Sequence, residues 1–210
     1  MIDATLWMVD ADAVTDADLL RFRDWLSAGE LARYQRFVRA QRLRQFVVGR
    51  VLLRMALGRL LNVAPREIQL EEQVGKAPLL VSPVVKGGMP GFSIAHSGRW
   101  VACVVSAQTA LGLDIEMLDA GRDLAALAAQ VFDARDISRW EGLPEARRVD
   151  GFYRMWSEKE ARFKLGEGVG GHCVAVPHEE LSVVVCSELP LGRAPTIEVV
   201  NLESETRRAD

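Results

Sequence analysis

Between residues 30 and 61 apolar side chains recur at helical spacing over an unusually long stretch. Leu31, Tyr34, Phe37 and Val38 begin the pattern, and Phe46, Val47, Leu52, Leu53, Met55 and Leu57 continue it. A stripe of this kind must lie against another apolar surface. More than one helix is expected here. The same segment is basic, with Arg33, Arg36, Arg39, Arg42, Arg44, Arg50, Arg54 and Arg59. The surface that the stripe covers has to come from the rest of the chain, which is rich in short apolar runs of strand type.

Those runs are 5–9, 68–72, 92–95, 100–106, 111–118, 172–176, 181–187 and 196–200. Further helices are expected over 16–26, 124–131, 134–140 and 151–165, with Asp133 as a cap before the third of these. GKAPLL at 75–80 reads as a turn and an extended piece. Residues 83–91, PVVKGGMPG, are dense in breakers and read as loop. The tail ETRRAD is polar and expected to fray. Helices alternate with antiparallel-looking strand pairs in both halves, which gives an α+β class. The break between halves is placed near 106–110, where SAQTA separates two apolar runs.

Bulk composition narrows the function classes. Of the 210 residues 49% are hydrophobic, enough for a substantial core. The 26 basic and 29 acidic residues leave a formal charge of -3, which gives no bulk attraction to nucleic acid or anionic membrane. Cys103, Cys173 and Cys186 lie in valine-rich runs with no CxxC spacing, and are expected as buried free thiols of a cytoplasmic protein. No signal peptide pattern opens the chain, and no apolar run is long enough to span a membrane.

Chemistry concentrates in four places. LGLDIEML at 111–118 carries Asp114 and Glu116 on one face of a strand, because residues i and i+2 point the same way. Two such carboxylates repel unless a cation lies between them. An ordinary solvent-facing edge strand accounts for this stretch as well as a metal site does. In GFYRMWSEKEARFKLGEG at 151–168, Phe152, Trp156, Glu160 and Lys164 form one helical stripe. The bland reading is an exposed Glu160–Lys164 pair at i,i+4. The functional one adds Glu160 to the oxygen set, as Mg²⁺ sites serving phosphates require.

FSIAHSGRW at 92–100 ends a strand on His96, with Ser97, Gly98 and Arg99 in a tight polar turn. A lone histidine is often structural; this one is placed to donate to a phosphate. The basic helix and Lys76 form the fourth place. They read either as surface solubility or as an anion site, since the rigid guanidinium fork fits phosphate.

Together the segments FVVGRVLLR, GKAPLL, FSIAHSGRW, LGLDIE and WSEKEARFKLGEG, in this order, resemble the 4'-phosphopantetheinyl transferases, and among them the Sfp-like single-chain type. The resemblance spans residues 33 to 168. It implies two pseudo-symmetric α/β subdomains, 1–107 and 108–210, packed face to face with an active-site cleft between them. It implies Mg²⁺, coenzyme A as donor, and transfer of phosphopantetheine to a serine of an apo acyl or peptidyl carrier protein. Carried onto this chain, Asp114, Glu116 and Glu160 would be metal ligands. Glu160, Lys164 and His96 would be catalytic. Arg33, Arg44, Arg50, Lys76, His96, Ser97 and Lys164 would hold coenzyme A. A monomer is expected, with no nucleic acid or membrane partner.

The sequence departs from the family pattern at Ala95, where a serine is common, at Ser93, and at Glu30, where some relatives are basic. An acidic carrier calls for a basic docking patch. Arg39 and Arg42, the 83–91 loop and the Phe132–Trp140 region are candidates for it. Three rivals stand beside this reading. They are a phosphate-ester hydrolase on the same carboxylates, a non-catalytic binder of coenzyme A or carrier, and a nucleic-acid binder. The acidic balance and the missing aromatic platform count against the last.

Overall fold

In the computed structural model the described residues are 1–73, 77–85, 88–166 and 168–209, with side chains described through residue 206. The basic periodic segment forms two helices, α2 (Ala28–Tyr34) and α3 (Ala40–Leu61), preceded by α1 (Asp16–Arg23). Ser27 starts α2 with a capping box. Its hydroxyl accepts from the Glu30 N–H, and the Glu30 carboxylate accepts from the Ser27 N–H at 2.8 Å. Helix α3 stops at Asn62, whose left-handed φ of 54° closes the last turn.

Among the described residues two larger sheets form, one of four strands and one of three. Strands β4 (Gly91–Ser97), β5 (Trp100–Ser106), β1 (Thr5–Asp10) and β9 (Ile197–Val199) lie in that order. All neighbours are antiparallel except β1 and β9. Strands β6 (Leu111–Met117), β8 (Leu181–Ser187) and β7 (His172–Val176) form the second, wholly antiparallel sheet. A short hairpin, β2 (Gln69–Glu71) and β3 (Leu79–Ser82), stands apart. The expected C-terminal subdomain of 108–210 thus lends its last strand to the first sheet. The expected frayed tail is helical, α7 (Leu202–Ala209), and Leu202 is buried with the α3 core.

Strand alternation sorts the cores. On β5, Val101, Cys103 and Val105 face α3, together with Val47, Val51 and Leu52. The alternate residues, Ala102 and Val104, join Leu6 and Met8 against Leu111, Leu113, Ile115, Val183 and Val185 of the second sheet. The far side of that sheet, through Val184 and Cys186, packs on Ala161 and Leu165 of α6 (Arg148–Leu165). The layers therefore run helix, sheet, sheet, helix. Helices α4 (Leu124–Val131) and α5 (Ala134–Glu141) pack beside α6 around Phe132, Trp140, Phe152 and Tyr153. Asp133 caps α5 as expected. Phe132 and Trp140 are buried in this cluster, so the Phe132–Trp140 region lacks the exposed apolar surface expected of it.

The thiols also differ from expectation. Cys173 and Cys186 face each other across β7 and β8 and form a disulfide; Cys103 is free and buried. Position in the register brings the pair together, and their spacing along the chain gives no sign of it.

Candidate active site

The edges of the two sheets meet along β4 and β6 through serine side chains. Ser93 Oγ accepts from the Leu113 N–H and Ser97 Oγ from the Met117 N–H, both at 3.0 Å. Ser97 also donates to Glu116 Oε2 at 2.9 Å. His96 shares a face of β4 with Ile94, which packs toward α3. Asp114 and Glu116 share the face of β6 that turns toward α6.

Gly112 sets the depth of that contact. A Cβ on it would lie 1.9 Å from the Ala161 carbonyl oxygen and 2.8 Å from the Leu165 nitrogen. Only glycine lets α6 come this close. The approach brings Lys164 Nζ to 2.8 Å from Asp114 Oδ1 and 3.0 Å from the Leu113 carbonyl. The i,i+4 pairing of Glu160 with Lys164 is thereby replaced by a contact between elements. Asp114 is 5% exposed, and its Oδ2 has no hydrogen-bond partner.

Burial raises the Asp114 pKa above the usual carboxylate range, against the pull of Lys164. Burial and the neighbouring Asp114 charge also raise Glu116. Glu160 is close enough to add to the repulsion at Asp114. The pair is therefore short of positive charge and rich in hard oxygen donors, which fits a divalent cation of the Mg²⁺ kind. Among the described residues no three His, Cys, Asp or Glu side chains stand together as a ready metal cluster. The fit rests on Asp114 and Glu116, with Glu160 beside them.

Across the seam, His96 faces the start of α3. Arg42 Nη1 lies 3.0 Å from one ring nitrogen and 2.9 Å from the other. Burial, then the Arg42 charge, lowers the His96 pKa to about 4, so the ring is neutral near pH 7. Lys164 also acts on it electrostatically. Gly98 holds the turn behind His96 at φ +55°, and its carbonyl accepts from Gln41 at 3.1 Å and Gln45 at 2.7 Å. Arg99 points away, to Glu180 at 2.9 Å. Arg42 and the neutral His96 thus lie on the α3 side of the seam, and Lys164, paired with Asp114, lies on the α6 side.

The other arginines divide differently from expectation. Arg44 binds Asp16 and the Val14 carbonyl and so lies against α1. Arg42, assigned to carrier docking, takes the place at His96. Arg33 and Arg50 both hold Glu72, Arg33 at 2.6 Å. Arg50 is nearly buried and also meets Glu30, which binds Arg54 at 2.5 Å. Lys76 lies outside the described residues. Two concavities, of about 510 and 600 Å³, are lined by residues of α5 and α6 and of α1 and α2 respectively, away from the carboxylates.

Comparison with known proteins matches this chain along most of its length. Residues 13–109 fit the model for the N-terminal part of 4'-phosphopantetheinyl transferase, and 110–188 fit that of the 4'-phosphopantetheinyl transferase superfamily. The 4'-phosphopantetheinyl transferase HetI of Nostoc sp. is 32% identical over 165 residues, 78% of this chain and 69% of HetI. The chain belongs to the 4'-phosphopantetheinyl transferase superfamily. Other relatives are AcpT of Salmonella typhi, 29% identical over 81% of this chain and 91% of its own, and Sfp of Bacillus subtilis, 27% identical over 83% and 76%. In this transferase the two matched regions meet between β5 and β6, just before the strand that carries Asp114 and Glu116. Among its described residues no helix is long and apolar enough to cross a membrane.

Three residues of this candidate site were not among those singled out from the sequence. Gly112 shares the strand face of Asp114, a parity that marks it as the point of helix contact. Ser93 lies four residues before Ser97 and so lines the same seam. Ser157 lies on the inner stripe of α6 with Ala161 and Lys164, at spacings of four and seven.

Proposed function

We propose that this enzyme is an Sfp-like single-chain transferase. It moves the 4'-phosphopantetheine group of coenzyme A to a serine of an apo acyl or peptidyl carrier protein and releases adenosine 3',5'-bisphosphate. The observation that carries this reading is the buried Asp114–Lys164 pair with its unpartnered Oδ2, set beside Glu116 and facing His96 and Arg42. A site built this way separates hard oxygen donors from cationic donors, and a pyrophosphate with its counter-ion needs both. The cleft of two pseudo-symmetric halves implied by the family corresponds in this reading to the groove over the β4/β6 seam, between α3 and α6.

Asp114, Glu116 and Glu160 are the residues to hold Mg²⁺. Bound there, it would neutralise and orient the pyrophosphate oxygens. The chain's own groups do the rest. Arg42 and His96 bind phosphate oxygens at the α3 side. The neutral His96 donates from one ring nitrogen and adds no fixed charge. Lys164, anchored on Asp114, stabilises charge that gathers on the transferred phosphoryl group. The serine oxygen forms a bond to the β-phosphorus as the bond to the bridging oxygen breaks. The electron pair leaves with adenosine 3',5'-bisphosphate, and Glu160 takes the serine proton directly or through water. The carrier's acidic surface is met by exposed Arg36 and Arg39, which flank the fully exposed Val38.

The test is product analysis. Coenzyme A incubated with the enzyme and Mg²⁺ should release adenosine 3',5'-bisphosphate only when an apo carrier is present. Release without any carrier would make the protein a hydrolase and overturn the proposal.

A further inference from the structure

We propose that Ser157 is a positioning residue for Asp114, its hydroxyl donating to the carboxylate oxygen that Lys164 leaves free. Two buried side-chain atoms among the described residues lack any hydrogen-bond partner, Asp114 Oδ2 and Ser157 Oγ. One is an acceptor and the other can donate. Unpaired polar atoms in a protein interior are rare and costly, so two complementary ones on facing elements call for a joint explanation.

The packing of α6 on β6 supplies the juxtaposition. Ala161 and Leu165 abut Gly112, and Lys164 reaches Leu113 and Asp114. At the other end Tyr153 donates to the Asp119 carbonyl at 3.2 Å. The helix therefore runs back along the strand, its early residues opposite the later strand residues. Ser157 lies midway between Tyr153 and Ala161 on the same stripe, level with Asp114. It is fully buried. The hydroxyl is also near enough to favour the ionised form of Asp114, which supports the pairing. Asp114 would then be held at both oxygens from one helix, and the second lone pair of Oδ2 stays available to a cation.

The functional side of this inference rests on the reading of Asp114 as part of the transferase's acidic site; the bond itself does not. Two measurements on the full chain separate them. The first is urea unfolding in chelator-treated buffer for the wild type, Ser157→Ala, Asp114→Ala and the double variant. Loss of the hydroxyl should lower the folding equilibrium constant about tenfold when Asp114 is present, and much less when it is absent. Additive effects, or a Ser157→Ala variant as stable as the wild type, would overturn the proposal. The second is Mn²⁺ binding followed by its paramagnetic resonance signal, without coenzyme A. Ser157→Ala should weaken binding about 10- to 100-fold, as losing an outer partner of a ligand does, and Ser157→Thr should restore it. Unchanged affinity in Ser157→Ala would overturn the positioning role. A wild type that binds no Mn²⁺ would overturn the acidic-site reading and the positioning role with it, and the unfolding cycle would still decide the bond.

Discussion

The two long helices of this protein cover their sheets in the same way and treat charge in opposite ways. Beneath α3, every buried charge is answered. Glu30 is completely buried and binds Arg54 and Arg50, and Glu72 takes Arg50 and Arg33. Beneath α6, Asp114 has a single charged partner, Lys164, for two neighbouring carboxylates, and Glu116 sits beside it with its pKa raised. A closed network has nothing left to offer a ligand. An open one is costly in the free protein and gains from whatever completes it. The arginine-rich helix that dominates the sequence is thus mainly architecture, and in the proposed function the less conspicuous helix carries the chemistry.

The sharpest way to break this contrast is on the α3 side. Glu30→Gln strands Arg54 without its charge partner, leaves Arg50 with Glu72 alone, and should destabilise the fold by about 3–5 kcal/mol. Chemical denaturation would show it. The fraction that remains folded should transfer at close to the normal rate; a large loss of kcat with normal stability would put Glu30 in the active site. On the α6 side the expected effect is reversed. Lys164→Ala should lower kcat about 100- to 1,000-fold, the scale of losing one group that stabilises transition-state charge. Its melting temperature should change little, because Lys164 is partly exposed. A collapse of stability with an intact rate would make it a structural residue.

A finer comparison lies within α3 itself. Arg42→Ala should raise the KM for coenzyme A about tenfold, roughly the worth of one charge-assisted hydrogen bond, whereas Arg44→Ala should leave KM alone and loosen α1. Steady-state kinetics on the two variants would decide which arginine serves the anion. The smallest effect concerns His96. Its folded pKa of about 4 is below the unfolded value of about 6.5. The unfolded chain therefore binds the proton first, and this residue's contribution to stability falls as pH drops from about 6.5 to 4. An NMR titration should find its midpoint near 4 in the free enzyme. A midpoint near 6.5 would mean that neither burial nor Arg42 acts on the ring.

How much of this was legible in the sequence follows from the range of the forces involved. Strand parity placed Asp114 and Glu116 on one face, and helical period placed Glu160 and Lys164 on one stripe, because both are local rules. The cap at Asp133 was legible for the same reason. Which arginine reaches which acid was not. Arg42 and Arg44 are two residues apart and diverge only because α1 offers Asp16 to one and β4 offers His96 to the other. The Cys173–Cys186 pair depends on strand register. The parallel β1–β9 contact brings the chain's two ends together, and no local signal carries that. Gly112 was visible as a glycine in a strand, a sign of close approach, yet the element approaching it was visible only in the fold.

The most direct test of the central assignment is the intact mass of apo acyl and peptidyl carrier proteins after incubation with the enzyme, coenzyme A and Mg²⁺. Parallel reactions would use chelator or the Asp114→Ala variant. The expected result is a gain of one phosphopantetheine on at least one carrier, lost in both controls. A carrier modified equally well by Asp114→Ala would contradict the placement of the chemistry under α6. No gain on any carrier, with coenzyme A failing to bind, would contradict the proposed function itself.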